Sequence, residues 1–501
     1  MSGTTRTSST STPTRGPSSQ GYTDINRHTL SDGRVVSIRP VKASDGEMER
    51  EMIEHLSPDS SRMRFLGGIG QVSQQLMRVL TDNDAQHEAF IALAEDESGT
   101  LHAVGVANFA CDPDGKSCEC AVVVADDWQN AGLGKLLLRE LVELTGFPIT
   151  STLMGLGAYP ASGPNWLGML GMHGTYEANM TMHDCDVMVN IGARFDDRIT
   201  GRIDKFAPRA KIIHIDIDPS SINKIIRTDL GIIGDVGHVL EDMVRIWRAS
   251  DGVEDKSALK QWWNQIGKWR ARNSLAYTPN KDVIMPQYAI ERLHEASLRS
   301  GKETFITTEV GQHQMWAAQF FGFEEPNHWM TSGGLGTMGY GLPAALGVQI
   351  AHRDALVVDI AGDASVLMTI QEMSAAVQHN APIKIFILNN QYMGMVRQWQ
   401  QLLHGNRLSH SYTEALPDFV MLAEAYGGKG IRCEKPGELD DALDEMIASD
   451  KPVIFDCRVA NLANCFPMIP SGKAHNEMLL PDEATDEAVA NAISAEGKAL
   501  V

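Results

Sequence analysis

The sequence is short of basic residues. Forty-three lysines and arginines face 64 aspartates and glutamates, a formal net charge of −21. Phosphate backbones and anionic membranes are met by basic patches, so this balance argues against nucleic-acid or membrane-surface partners. The chain also has no apolar run of the roughly 18 residues that a membrane-spanning helix needs. Its seven cysteines, at 111, 118, 120, 185, 433, 457 and 465, include no Cys-x-x-Cys pair. An odd, scattered set is not a disulfide framework and fits a reducing, cytoplasmic setting. Cys118 and Cys120 alternate on a predicted strand and read as a core or surface thiol pair before a metal site. The first twenty residues, "MSGTTRTSSTSTPTRGPSSQ", lack the apolar stretch of a secretory signal. They contain arginine and no acid, as transit peptides do, but read first as a disordered tail.

What remains is ordinary globular material: 501 residues, 43% hydrophobic and 21% charged, with room for about three domains. From 21 to about 144 the pattern is α+β. "GRVVSIRPV" alternates as a strand, "GEMEREMIEHLS" is an amphipathic helix, and residues 87–127 give three strands joined by turns before a glycine turn and a leucine-rich helix. From about 146 to 267 short apolar strands ("VMVNIG", "KIIHIDID") alternate with helices, the α/β signature of a parallel sheet. "SDGVEDKSALK" is polar and predicts an inter-domain connection. From 283 to 456 the alternation resumes with "ALVVDIAGD", "IKIFILNN" and "PVIFDCRV" as buried strands. The acidic last twenty residues predict a loosely held helix or tail.

The strongest chemistry lies in "GDASVLMTIQEMSAAVQHNAPIKIFILNN", with Gly362-Asp363 at one end and Asn389-Asn390 at the other, each after an apolar strand. A right-handed crossover sets Asp363 and Asn390 side by side at the carboxyl ends of neighbouring strands, where open parallel sheets bind ligands. A carboxylate, an amide oxygen and a nearby carbonyl are hard donors suited to Mg2+. On residues alone, a strand-end Asp and Asn without a ligand stays open as the alternative.

This stretch resembles the diphosphate-binding motif of thiamine enzymes, which implies Asp363, Asn390 and the carbonyl of Tyr392 as Mg2+ ligands. "EVGQHQMWAAQ", "GLGTMGYGLPAALG", "GMVRQWQ" and "FPMIPSGKAHNEML" resemble the large, catalytic subunit of acetolactate synthase. That resemblance implies thiamine diphosphate held by Gly362, Asp363, Ala364, Ser365, Asn390, Gly394 and Met395, and Gln312 as a catalytic residue. It also implies Met338 and Met368 against the thiazolium and Trp399 favouring the larger second 2-keto acid. Methionines at helical spacing are otherwise core, and a lone Trp core or interface. "LGMLGMHGTYEANMTMHDCDVMVNIGARFDDR" and "IIHIDIDPSSINKIIRTDLGIIGDVGHV" resemble the family's central, FAD-binding domain of partial Rossmann-like fold. Implied are FAD contacts along residues 173–190 and 216–235, Met172, His173, Gly174, Asp216, Asp218 and Asp235 among the cofactor residues, and Arg198 meeting the substrate carboxylate. Asp197 and Arg198 read equally as a surface charge pair. The FAD is structural, since the reaction transfers no net electrons.

Residues 21–144 resemble a truncated GNAT-type N-acetyltransferase, best in "ECAVVVADDWQNAGLGKLLLREL". The turn Gln129-x-x-Gly132-x-Gly134 frees backbone N–H groups for a pyrophosphate, which implies acetyl-CoA there. Glu119 matches a general base of some members and reads equally as an exposed strand residue.

Both resemblances are partial, with "LLLRELVEL" fitting either and the join expected between 136 and 144. The expected organisation is therefore a tail (1–20), an acetyltransferase-like domain (21–144), a partial FAD-binding central domain (136–270), a parallel-sheet thiamine-diphosphate domain (280–485) and a C-terminal tail (486–501). The function implied is condensation of two pyruvates, or of pyruvate with 2-ketobutyrate, with CO2 release in branched-chain amino-acid biosynthesis. Impairment is expected because no counterpart of the pyrimidine-binding domain is legible. A homodimer or tetramer, a small regulatory subunit and a cytoplasmic location go with it. An acetyltransferase, and an inactive chimera, subunit-interaction protein or assembly artefact, are the alternatives.

Overall fold

The apolar runs of the C-terminal half become the middle strands of a six-stranded parallel sheet. The computed structural model describes residues 26–29, 34–55, 87–96, 99–111, 118–124, 133–249 and 256–481. The chain divides into two compact units, residues 1–133 and 134–501. Both terminal tails expected from composition lie outside the described residues.

In the first unit β1 (Asn26–Thr29), β2 (Val35–Pro40), β3 (His87–Glu95), β4 (Leu101–Cys111) and β5 (Cys118–Val124) form an antiparallel sheet in chain order. Helix α1 (Gly46–Glu54) packs on β4 with Met52 and Ile53 buried. Asp45 anchors the entry to α1: it takes both guanidinium arms of Arg39 at 2.6 and 2.8 Å and the backbone N–H of Lys42 at 2.6 Å. The guanidinium holds the Asp45 carboxyl below its ordinary range. Helix α2 (Leu133–Thr145) runs on into the second unit.

In the second unit, two short parallel sheets come first. One pairs β6 (Ile149–Ser151) with β7 (Trp166–Met169), and the other has the order β10-β9-β8 from β8 (Val187–Ile191), β9 (Lys211–Asp216) and β10 (Leu230–Ile233). Helix α3 (Tyr176–Asp184) joins them, its first turn capped by Thr175 Oγ1 accepting from the Ala178 N–H at 3.2 Å. Helices α4 (Val236–Ala249) and α5 (Lys256–Arg270) follow. Residues 250–255 of the expected polar connection lie outside the described residues, and its "KSALK" end opens α5.

The large sheet runs β12-β11-β13-β14-β16-β15, every neighbouring pair parallel. Its strands are β11 (Thr304–Thr308), β12 (Trp329–Thr331), β13 (Leu356–Gly362), β14 (Lys384–Asn389), β15 (Lys429–Cys433) and β16 (Val453–Arg458). Because side chains alternate along a strand, the sheet carries a core on each face. Val358, Ile360, Phe386, Leu388 and Phe455 pack with α6 (Pro286–Ser300), α7 (Gln312–Phe320) and α12 (Leu439–Ala448) on one side. Val357, Ala361, Ile385, Ile387 and Ile454 pack with α8 (Gly341–Ala351), α9 (Met373–Gln378) and α11 (Phe419–Ala425) on the other. Strands covered on both faces explain the near-continuous apolar runs read from the sequence. No described helix is long and apolar enough to cross a membrane.

Candidate active site

β13 ends at Gly362 and β14 at Asn389, and the two strands are hydrogen-bonded neighbours. Asp363 and Asn390 therefore leave the same rim of the sheet one strand apart, as the crossover argument predicts. Both are buried. Asp363 Oδ2 accepts the Gln391 N–H at 2.6 Å, whereas Oδ1 is buried without a partner. Desolvation pushes the Asp363 carboxyl up to about 7, against the pull of the Gln391 and Ala364 N–H groups. Asn390 Oδ1 accepts from the Tyr392 N–H at 3.1 Å, and its carbonyl accepts from Asn461 Nδ2 at 3.0 Å. Gln391, between the two sides, has φ 60° and so turns the chain back toward β13.

Glycines clear the approach. A Cβ at Gly362 would stand 2.8 Å from the His313 ring, and one at Gly394 2.0 Å from Gln312 Oε1. Ser365 Oγ closes the turn after β13 against the Gly362 N–H at 3.2 Å, with Ala364 half-buried between them. Gln312 is fixed from three sides: its Nε2 donates to Gln398 Oε1 at 2.7 Å and to the Ala463 carbonyl at 3.0 Å, and its Oε1 accepts from Asn390 Nδ2 at 3.4 Å. Helix α10 (Gly394–Leu403) starts here, its positive end toward the Asp363–Asn390 rim and half-buried Met395 in its first turn. Met338 is half-buried and Met368 exposed. They belong to one corner, since a Cβ on Gly339 would lie 3.3 Å from Met368 Cβ.

Trp399 packs with Met172, Leu402, Phe466, Met468 and Leu479 in a single apolar cluster, so two residues read from separate motifs meet. Next to Met172, His173 is buried with Nδ1 3.0 Å from the Pro467 carbonyl and Nε2 unpartnered. Burial drives its pKa down to about 4, and the nearby Arg198 charge adds to that. Gly174 is tight, its would-be Cβ 2.5 Å from the Met169 carbonyl. Arg198 sits on a single helical turn, well exposed and paired with Asp197 at 3.0 Å, while its carbonyl accepts from Met172. Asp216 closes β9, and Asp235 follows β10 beside it at the carboxyl end of that sheet. Asp216 accepts from the Asp218 N–H at 2.9 Å, exposed Asp218 holds Ser220, and Asp235 caps α4 through the Gly237 N–H at 2.8 Å.

Gln129 and Gly132 lie outside the described residues, Gly134 falls in the first turn of α2, and Glu119 stands on β5 opposite Ala110, with no side-chain placement described. Sequence reasoning missed Asn461, Gln398 and His313, the supports beneath the site. "GQHQM" and "GMVRQWQ" contained two of them, as amide and imidazole groups whose spacing does not set them apart from solvent-facing polar residues.

Among the described residues no three His, Cys, Asp or Glu side chains gather as a metal cluster. The Asp363 corner offers one carboxylate with amide and carbonyl oxygens, a set that leaves positions for phosphate oxygens. Residues 309–457 match the family model "Thiamine pyrophosphate enzyme, C-terminal TPP binding domain", and residues 121–243 match "Thiamine pyrophosphate enzyme, central domain". Over its C-terminal two-thirds the chain belongs to the thiamine pyrophosphate enzyme family. Its relatives are acetolactate synthases. The isozyme 3 large subunit of Escherichia coli (strain K12) is 46% identical over 346 residues, 68% of this chain and 60% of that protein. The large subunit of Haemophilus influenzae is 44% identical over 352 residues, 70% of this chain and 61% of that one. The mitochondrial catalytic subunit of Saccharomyces cerevisiae is 43% identical over 359 residues, 69% and 51%. The chain thus spans about three-fifths of the length of these bacterial relatives. The central-domain match opens inside β5, the strand that the structure pairs antiparallel with β4.

Proposed function

We propose that the chain binds thiamine diphosphate through Mg2+ held by the Asp363 carboxylate, the Asn390 amide oxygen and the Tyr392 carbonyl. We further propose that it serves acetolactate synthesis, condensing two pyruvates, or pyruvate with 2-ketobutyrate, with loss of CO2. One observation carries this reading: Asp363 Oδ1 is buried at the carboxyl end of β13, beside Asn390, with no partner. An unpaired buried acceptor costs about 1–3 kcal/mol, more when charged, and a cation removes that cost.

When bound, thiamine diphosphate supplies a carbon nucleophile for the 2-keto acid carbonyl. The chain's own residues anchor and orient it. Glycines 362 and 394 and the start of α10 admit the diphosphate, and Met338 and Met368 support the ring. Gln312 orients Asn390, Arg198 pairs the substrate carboxylate through its planar fork, and Trp399 with Met172 shapes the second 2-keto acid's pocket. Structural FAD lies along Met172, His173, Gly174, Asp216, Asp218 and Asp235; the unpartnered His173 Nε2 and the strand-end acids support this. The proposed organisation is a central domain over 136–270 and a thiamine-diphosphate domain over 280–485, acting as a homodimer or tetramer with a small regulatory subunit in a cytoplasmic setting. For residues 21–144 an acetyltransferase-like fold binding acetyl-CoA is the second reading, supported by the antiparallel order β1 to β5 leading into α2; calorimetry with acetyl-CoA is its test.

The test of the main reading is calorimetric titration of the full chain with thiamine diphosphate, with and without Mg2+. Mg2+-dependent binding is expected and should disappear in Asp363→Ala. Equal binding by that variant, or none by the parent chain, would overturn the proposal.

A further inference from the structure

Two carboxylates that the proposed chemistry does not use lie beneath the turn carrying Met338. Glu309 follows β11 and Asp359 is the fourth residue of β13; both are fully buried. Glu309 Oε2 accepts the Gly339 N–H, at 2.5 Å, and Oε1 accepts the Leu342 N–H at 3.2 Å, with the Tyr340 and Gly341 amides also directed at the carboxylate. These are the orphan donors of the first turn of α8, which no side chain of its own caps. Burial raises the Glu309 carboxyl, and these four amides pull it back toward the anion. Asp359 has the opposite surroundings. Its Oδ1 takes only the Thr307 hydroxyl at 3.2 Å, and Oδ2 has no partner. By strand alternation it shares a face with Val357 and Ala361, toward Leu342 and Ala345 of α8. Glycine is required where α8 starts against the two strands: a Cβ on Gly341 would stand 2.1 Å from Asp359 Oδ1 and 2.7 Å from the backbone nitrogen of Glu309. No ion pair with a described cation is formed by either acid. The other polar neighbours are Thr307, Thr308 and, across the Glu309 backbone, His313, which burial keeps neutral.

We infer that Glu309 and Asp359 form a one-proton pair, Glu309 ionised in the amide cradle and Asp359 holding the proton, and that the pair positions the 338–342 turn. Two like charges in one dry pocket cannot both form cheaply, so the proton stays on the acid with fewer donors. Burial and the Glu309 charge push the Asp359 carboxyl well above its ordinary value. The turn so held carries Met338 and sets Gly339 beside Met368, and its role in cofactor binding rests on the thiamine-diphosphate reading. The pair itself does not.

Two arms separate those claims. In the first, melting temperatures of the cofactor-free full chain and of Asp359→Asn are compared from pH 5 to 8. Native Asp359 keeps a proton that the unfolded chain releases near pH 4, so its contribution to stability falls as pH rises. Asp359→Asn lacks that loss. The difference, variant minus parent, should therefore climb with pH, by roughly 2 °C per unit at most, with the titrating groups outside the pair cancelling. A flat or falling difference would overturn the shared proton. In the second arm, Glu309→Gln places an amide N–H₂ against the cradle and should weaken Mg2+–thiamine diphosphate binding at least tenfold, whereas Gln312 and the Asp363 corner are untouched. Unchanged affinity overturns the positioning role. If Glu309→Gln does not fold, the Asp359→Asn titration still decides the pair, and absence of binding by the parent chain counts against the cofactor reading alone.

Discussion

At position 394 backbone and side chain compete for one space. A Cβ there would meet Gln312 Oε1 at 2.0 Å and Asn390 Nδ2 at 2.9 Å. Gln312 cannot swing away cheaply, because its amide is tied to Gln398 and to the Ala463 carbonyl. Gly394→Ala should therefore displace Asn390 and cost about 1–3 kcal/mol through overpacking. The expected result is a lower melting temperature together with weakened Mg2+-dependent thiamine diphosphate binding, by differential scanning fluorimetry and calorimetry. Unaltered values would mean that the amide network gives way freely. At this scale the sequence was legible where a residue type and a strand end coincide, as at Asp363 and Asn390. It was not legible at Asn461, Gln398 or Glu309, whose roles depend on backbone groups 30 to 71 residues away, pairings that no local pattern encodes.

Elements were read well wherever both faces of a strand are buried. Apolar runs such as "LVVDIA" and "KIFIL" admit few other structures when helices cover both sides, and the parallel sheet with its crossover followed. The exception within those strands is charge. Asp456 stands fully buried in β16, where period and apolarity give no reason for it. Its Oδ1 accepts from Asn389 Nδ2 at 2.8 Å, and its Oδ2 from Arg432 and Arg458 at 2.9 and 3.1 Å. It thus ties three adjacent strands, β14, β16 and β15, at the rim that carries Asn390. Removing one member of a buried charged set leaves the others uncompensated. Asp456→Ala is expected to cost about 3 kcal/mol, at the lower end because both arginines reach solvent. Urea unfolding is the measurement, and a loss below about 1 kcal/mol would reduce the cluster to surface pairing.

For the whole molecule the sequence spoke clearly of the second unit and equivocally of its approach. A helix such as "LLLRELVEL" is amphipathic in either family, and amphipathicity reports burial of one face without saying against what. The split of the central sheet into β6–β7 and β10-β9-β8 was not legible either, because strand order depends on distant pairing. Among the described strands, β8 is bonded only to β9 and β6 only to β7. By that pairing both are sheet edges, as β7 and β10 are, with Val187 of β8 half exposed. Unlike edges that meet between copies repeat head to tail, and where the rotation does not close they add polymer growth to the proposed dimer or tetramer. Static light scattering of the purified chain should rise with concentration and with time at 37 °C, and Val187→Lys, which plants a charge on that edge, should suppress the rise. Scattering that saturates at a dimer or tetramer in both proteins would mean that these edges are covered in solution.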